Sequence, residues 1–233
     1  MIMTSILIIE FDPVIGRMLQ DGFESEGFQI IRFRDGQNGL EYALHNHIDL
    51  IVLNLMVPGV DGWHILRKLR QEARTTPVII LSAQDAEREK IRAFNEGCDD
   101  FVAIPFSLHE LFGRAKAILR RVGSDQNAPR LLKSGGFTLD LQTQQAVLEG
   151  SEINLTKSEF MILALLIRSE GEVVRRYRIL DEIWGEEVDV TTRTVDMHIH
   201  RIRSKWQAIG KCIITVYQKG YKWEQPVIDI PSR

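Results

Sequence analysis

Five short apolar runs, spaced by helix-length amphipathic stretches, leave the first half of this chain few ways to fold. The runs are Ile6–Ile9, Gln29–Phe33, Leu50–Asn54, Val78–Ser82 and Phe101–Ala103. Between them, helical periodicity predicts helices near Val14–Ser25, Gln37–His45, Trp63–Arg70, Glu87–Glu96 and Leu108–Arg121. Near-continuous Ile, Val and Leu in the runs indicates strands buried on both faces. Helix-length spacers indicate crossovers between parallel neighbours.

Five βα units in about 120 residues predict an α/β, doubly wound sheet of flavodoxin-like order. Ligands of such sheets bind at the carboxyl ends of the strands. Glu10, Asn54, Ser82 and Ile104 all fall there.

Val122–Arg130 is small, polar and aperiodic, and residues 122–131 read as a linker. The second half, 132–226, is of another kind. Short strand-like pieces at Phe137–Asp140 and Ala146–Leu148 precede a helix at Lys157–Ser169. Thr156 and Glu159 have the spacing of a capping box at its start. Further helices are predicted at Arg176–Trp184 and Thr192–Trp206, then a hairpin of Ile213–Tyr217 and Tyr221–Glu224. Residues 227–233 form a tail.

Bulk properties exclude little. A length of 233 residues suits one or two domains of about 100–200 residues each. No apolar run approaches the roughly 20 residues of a membrane span, and the first residues read as a strand, not a signal peptide. Cys98 and Cys212 have no metal-ligand spacing, which favours two ordinary thiols in a cytoplasmic protein. No metal and no cofactor is expected. The net charge of −3 is uninformative, but its distribution is not: Arg193 to Lys222 holds seven Lys or Arg against one acid, Asp196. A basic stripe on a mildly acidic chain is a nucleic-acid footprint.

In the helix at 192–206, Val195, Ile199, Ile202 and Trp206 form an apolar stripe that must face a core. Arg193, Met197, His200, Arg201 and Ser204 lie on other faces, flanked by Arg203 and Lys205. Such a helix fits a DNA major groove. Five segments keep order and spacing: Leu155–Phe160, Ile183–Gly185, Arg193–Ile199 with Arg201–Arg203, Ile214–Val216 and Gly220–Lys222. Together they resemble the winged-helix effector domain of the OmpR/PhoB response regulators. The resemblance implies a recognition helix at about 192–205 and a β-hairpin wing at about 213–223. It implies that Arg201 and Met197 meet base edges, while Arg193, Thr194, His198 and Arg203 hold phosphates, with His200 and Lys205 on the same surface. Tyr217 stands where the wing usually carries an Arg, and Gln218 replaces a usual Gly. Lys219 is left to supply the wing's charge.

Residues of about 4–121 are similar to the family's receiver domain, on Pro58–Gly62, Thr76–Ala83, Gly97–Phe101 and Pro105–Ser107. A working receiver takes a phosphoryl group from a histidine kinase on an Asp carboxylate, with an acid pair for Mg²⁺, a Ser/Thr and a Lys. Here the acid pair reads Glu10-Phe11, Asp12 follows one residue late, the acceptor is Asn54 and the lysine position holds Ile104. An amide cannot form the acyl phosphate. A pocket with a buried Phe11 and an amide should hold metal weakly. Loss of both carboxylates and Lys together is what release from phosphate chemistry predicts.

The output face looks retained. The resemblance implies a symmetric dimer surface with Lys90, Asp99, Asp100, Glu110, Arg114 and Arg121, pairing Asp100 with Arg114 and Lys90 with Glu110 across subunits. It implies that Phe101 is held in one rotamer and that Ile104–Pro105 is cis. The expected function is a sequence-specific transcriptional regulator that acts as a dimer on tandem half-sites of double-stranded DNA without aspartyl phosphorylation. The acids of Gly185–Thr191 suit a contact with RNA polymerase. Two alternatives stand beside this: a receiver phosphorylated at Asp12 or Glu10, and an interaction module with weak DNA binding.

Overall fold

The computed structural model describes residues 4–72, 74–84, 86–119, 130–185 and 191–225. They divide into two compact units. The N-terminal unit alternates β1 (Ser5–Ile9), α1 (Pro13–Ser25), β2 (Gln29–Phe33), α2 (Gly36–His45), β3 (Leu50–Asn54), α3 (Gly62–Gln71), β4 (Val78–Ser82), α4 (Glu87–Glu96), β5 (Asp100–Ala103) and α5 (Leu108–Leu119). Its five strands run parallel in the order β2-β1-β3-β4-β5. This is the flavodoxin-like order that the alternation predicts.

The central strands are buried throughout, as the apolar runs require. Leu19 and Phe23 of α1 and Leu111, Ala115 and Ile118 of α5 pack on Ile6, Ile8, Leu50, Val52, Ile79 and Leu81. Each large side chain so buried contributes about 1.5–3 kcal/mol. The two-residue strand period sends Leu7, Ile9, Ile51 and Leu53 to the opposite face. Aspartates start three helices at this sheet's carboxyl end: Asp12, Asp35 and Asp61 each accept backbone N–H groups of the first turn. Ile104–Pro105 is cis, as the resemblance implies.

The C-terminal unit opens with an antiparallel sheet of β6 (Leu131–Ser134), β7 (Phe137–Asp140), β8 (Gln145–Leu148) and β9 (Ser151–Ile153). Glu149 and Gly150 both take positive φ, which suits the tight β8–β9 turn. Then come α6 (Lys157–Arg168), β10 (Val173–Arg175), α7 (Arg176–Trp184), α8 (Thr192–Lys205), α9 (Gln207–Cys212), β11 (Ile213–Val216) and β12 (Gly220–Trp223), with strand order β10-β12-β11. Helix α8 buries Val195, Ile199 and Ile202, as its stripe predicts. Trp206 is only half-buried, and the Lys205 ammonium lies 4.1 Å from its ring centre.

Four elements escape sequence reading. Strands β6, β9 and β10 and helix α9 have three to six residues each, too few to show a period. Leu131, placed in the linker by composition, belongs to β6. The rest of the linker up to residue 129, Arg121 and the tail lie outside the described residues.

Gly62, the first residue of α3, lies against the strand that carries Asn54. A Cβ there would stand 2.6 Å from Leu55 Cα and 2.8 Å from the Asn54 carbonyl oxygen. Backbone atoms cannot yield as side chains do. Gly62→Ala is therefore expected to cost about 1–3 kcal/mol of stability, read as a lower urea midpoint by far-UV circular dichroism.

Candidate functional site

The strand ends of the N-terminal unit gather Glu10, Asn54, Ser82 and Ile104, and they close on one another. The Asn54 amide nitrogen donates to Glu10 Oε2 at 2.8 Å. The Asp12 backbone N–H donates to Glu10 Oε1 at 2.9 Å. The Asn54 oxygen accepts from the Met56 backbone N–H at 2.8 Å. Glu10 is 0% and Asn54 4% exposed. Both carboxylate oxygens and both ends of the amide are thus engaged inside the chain. Ser82 is buried, and its Oγ accepts from the Gln84 N–H at 3.1 Å. Ile104 packs against the apolar core.

Asp12 does not turn into this cluster. Its Oδ1 accepts from Val14 N at 2.8 Å and from Ile15 N at 3.0 Å, which makes it the N-cap of α1. Phe11 is corrected: it is 43% exposed, not buried. The divalent cation of a working receiver does not fit these residues. Such a cation needs free oxygens in near-octahedral array, and here one carboxylate is saturated, one caps a helix and the third position is an amide.

The expected dimer residues divide in two. Arg114 Nη1 meets Asp100 Oδ2 at 3.1 Å within the same chain, and its guanidinium also pairs with Glu110. Asp100 and Arg114, expected to pair across subunits, are buried and joined to each other within the chain. Burial pushes the Asp100 carboxyl above its usual range, and Arg114 opposes the shift. Asp99 is buried as well, held by Arg70 Nη2 at 3.1 Å and by the Val78 N–H at 3.0 Å. Lys90 and Glu110 remain half-exposed, with the Lys90 ammonium 6.0 Å from the Phe101 ring centre. Phe101 itself is buried. Arg121 lies outside the described residues.

On α8 the exposed side carries Arg193, His200, Ser204 and Lys205, with Asp196, Met197 and Arg203 half-buried. Their spacing of three to four residues makes one continuous face. Arg201, expected to read bases, is corrected. It is 8% exposed, and its Nε stands 3.1 Å from Oε1 of the buried Glu159 on α6. Thr194 and His198, expected on phosphates, are buried too. The capping-box acid thus faces a guanidinium, an outcome invisible to spacing within α6. Arg203 Nη2 donates to the Ile213 carbonyl at 2.6 Å and to the Thr215 hydroxyl at 2.8 Å, so it braces β11. Lys205 donates to the Asn154 carbonyl at 2.8 Å. At the β11–β12 turn Tyr217 is 83% exposed, Gln218 takes φ 57° and Lys219 is exposed.

Three residues of this surface escape the sequence reading: Arg176, Asp196 and Tyr221. Arg176 Nε and the Tyr221 hydroxyl both donate to Asp196 Oδ1, at 2.7 and 2.6 Å. The one available signal was Asp196 itself, the lone acid in a basic stripe.

Removing one partner of a buried ion pair costs about 3–5 kcal/mol. Arg201→Ala is expected to unfold the C-terminal unit at markedly lower urea, monitored by its tryptophans. A variant with unchanged stability but relaxed sequence preference would restore the base-reading role.

The chain matches two family profiles. "Response regulator receiver domain" covers residues 6–116, and "Transcriptional regulatory protein, C terminal" covers residues 150–223. The response regulator ArlR of Staphylococcus aureus is 37% identical over 94% of this chain and 99% of its own length. ArlR of Staphylococcus saprophyticus is 36% identical over 94% and 98%. Among solved structures, DrrB, a Thermotoga maritima OmpR/PhoB homolog, is similar with a TM-score of 0.52 and 27% identity, covering 95% of this chain and 99% of that one. A mutant of RitR has a TM-score of 0.76 over the same shares at 24% identity, a likeness of fold alone. With a parallel receiver sheet, a winged-helix unit and full-length relatives of this kind, the chain belongs to the OmpR/PhoB response regulators, transcription regulators with a DNA-binding effector domain.

Proposed function

We propose that this regulator works without aspartyl phosphorylation, as a dimer through its receiver-like unit, and places two winged-helix units on tandem half-sites of DNA. The observation that carries the reading is the Asn54–Glu10 hydrogen bond. An amide replaces the nucleophilic carboxylate, and it holds the one remaining pocket acid as its acceptor. Ile104 takes the place of the cation that a phosphoryl group needs. Neither acid considered as a substitute acceptor is free for the reaction: Glu10 is buried and doubly bonded, and Asp12 caps α1.

Dimerisation by the α4–β5–α5 face draws support from what remains half-exposed there, Lys90 and Glu110. The buried Asp100–Arg114 pair would act beneath that face, holding α5 on β5. A polar linker lets the two DNA-binding units sit head-to-tail, free of the receiver's two-fold axis. Arg193, His200 and Lys205 offer charge and donors along α8, and Met197 an apolar contact for a thymine methyl. A contact of the 185–191 segment with RNA polymerase belongs to the same proposal. Its acids lie outside the described residues.

Two measurements on the pocket test the reading. Incubated with acetyl phosphate and Mg²⁺, the protein is expected to keep its intact mass. A single added phosphoryl group mapped to Glu10 or Asp12 would contradict the proposal. Asn54→Asp is expected to stay unmodified too, because Ile104 supplies no cation. It would set two carboxylates in contact, raising one pKa in the folded state. The variant should therefore lose about 1–3 kcal/mol of stability at pH 8. The loss should shrink as pH falls through that raised value, because protonation relieves the repulsion.

A further inference from the structure

Asp196 stands on the partly exposed side of α8, amid the basic stripe. An anion there repels a phosphate backbone, yet it is tightly engaged. Its Oδ1 accepts from Arg176 Nε at 2.7 Å and from the Tyr221 hydroxyl at 2.6 Å. The Arg176 guanidinium also lies 4.7 Å from the Tyr221 ring centre. Arg203 approaches the same ring at 5.7 Å while donating to β11. One carboxylate on α8 thus joins the first residue of α7 to wing strand β12, and a guanidinium two turns on ties α8 to wing strand β11.

The surrounding backbone leaves little slack. A Cβ on Gly220 would stand 2.0 Å from the Val174 carbonyl oxygen and 2.9 Å from Arg175 Cα. Strand β12 therefore presses directly on β10, immediately before Arg176. Burial, together with the hydrogen bond to Asp196, pushes the Tyr221 phenol up to about 12, so it stays a donor across the neutral range. An arginine held through Nε keeps the donors on both Nη atoms. Arg176 retains some exposure, with 21% of its side chain accessible.

We propose that Asp196 is a positioning residue, fixing the Arg176 guanidinium as a DNA-phosphate contact and holding the wing in register with the recognition helix. The inference deepens the DNA-binding reading and rests on it. Simple electrostatics gives the opposite sign for removal of this acid: less repulsion and tighter binding. Positioning gives weaker binding, because a misplaced Arg176 and a loosened wing outweigh the lost repulsion.

The full-length protein is first used to select duplexes from a random-sequence pool. If it enriches none, the DNA-binding reading falls and this inference with it. On an enriched duplex, Asp196→Asn is expected to bind about five- to tenfold more weakly at fixed salt, with a salt slope lower by about one contact. Arg176→Gln should do the same, and the double variant should lose no more than either alone. Asp196→Glu should recover part of the affinity. Tyr221→Phe, which keeps the ring, should weaken binding about two- to threefold with the slope lowered in part. It serves as the second test if Asp196→Asn fails to fold. Thermal midpoints accompany each variant; a purely structural lesion moves the midpoint and leaves the slope of the folded protein unchanged. If the unsubstituted protein selects DNA while Asp196→Asn, or Tyr221→Phe in its place, binds as tightly as before, this inference alone is overturned. Additive losses in the double variant have the same effect.

Discussion

The strand ends of the receiver-like unit are organised by the hydrogen bond from the Asn54 amide to the Glu10 carboxylate. Parallel strands bring their carboxyl ends together, so polar residues at those ends must satisfy one another or bind something. A buried carboxylate without donors costs several kcal/mol. In this chain the amide and the Asp12 backbone supply those donors, and no lysine is required. Ile104 can then turn to the apolar core. The substitutions at 54 and 104 are consequently two sides of one electrostatic adjustment. Each would be costly without the other.

The DNA-binding unit shows the same economy of charge. Arg201 faces Glu159 in the interior, and Asp196 near the surface holds Arg176 and Tyr221. Both acids orient cations. The first fastens α8 to α6, and the second fastens α8 to the wing. What remains outward on α8 is narrower than the residue types suggest: Arg193, His200, Ser204 and Lys205, with Met197 partly covered. A helix with few outward cations depends more on the placement of each.

Much of this was legible in the sequence. Apolar runs gave all five receiver strands to within a residue; β3 and β4 are buried on both faces, while the edge strand β2 is only half-buried and was read from its Ile30, Ile31 and Phe33. The Val195–Ile199–Ile202 stripe gave the inner side of α8. The absence of an acceptor carboxylate and of a lysine at the strand ends was legible as well, since Asn54 and Ile104 are read directly from the sequence. Partnership across elements was not legible. Nothing within α8 tells Arg201 that Glu159 lies opposite, and nothing within β5 tells Asp100 that Arg114 will reach it from its own chain. Carrying roles over by resemblance therefore placed Arg201 on bases and Arg114 across a dimer. Asp12 was ambiguous for the same reason: its spacing from Glu10 suits a pocket, but the Pro13 that follows starts a helix it must cap.

On the proposed reading, control of this regulator lies outside aspartyl phosphorylation, and its abundance is one quantity that would set promoter occupancy. The most direct test is sedimentation velocity of the untreated, full-length protein, alone and with a duplex it selects. The account predicts a dimer at micromolar concentration and two protein copies per duplex, unchanged after incubation with a phosphodonor. A monomer that ignores DNA until phosphorylated would contradict it.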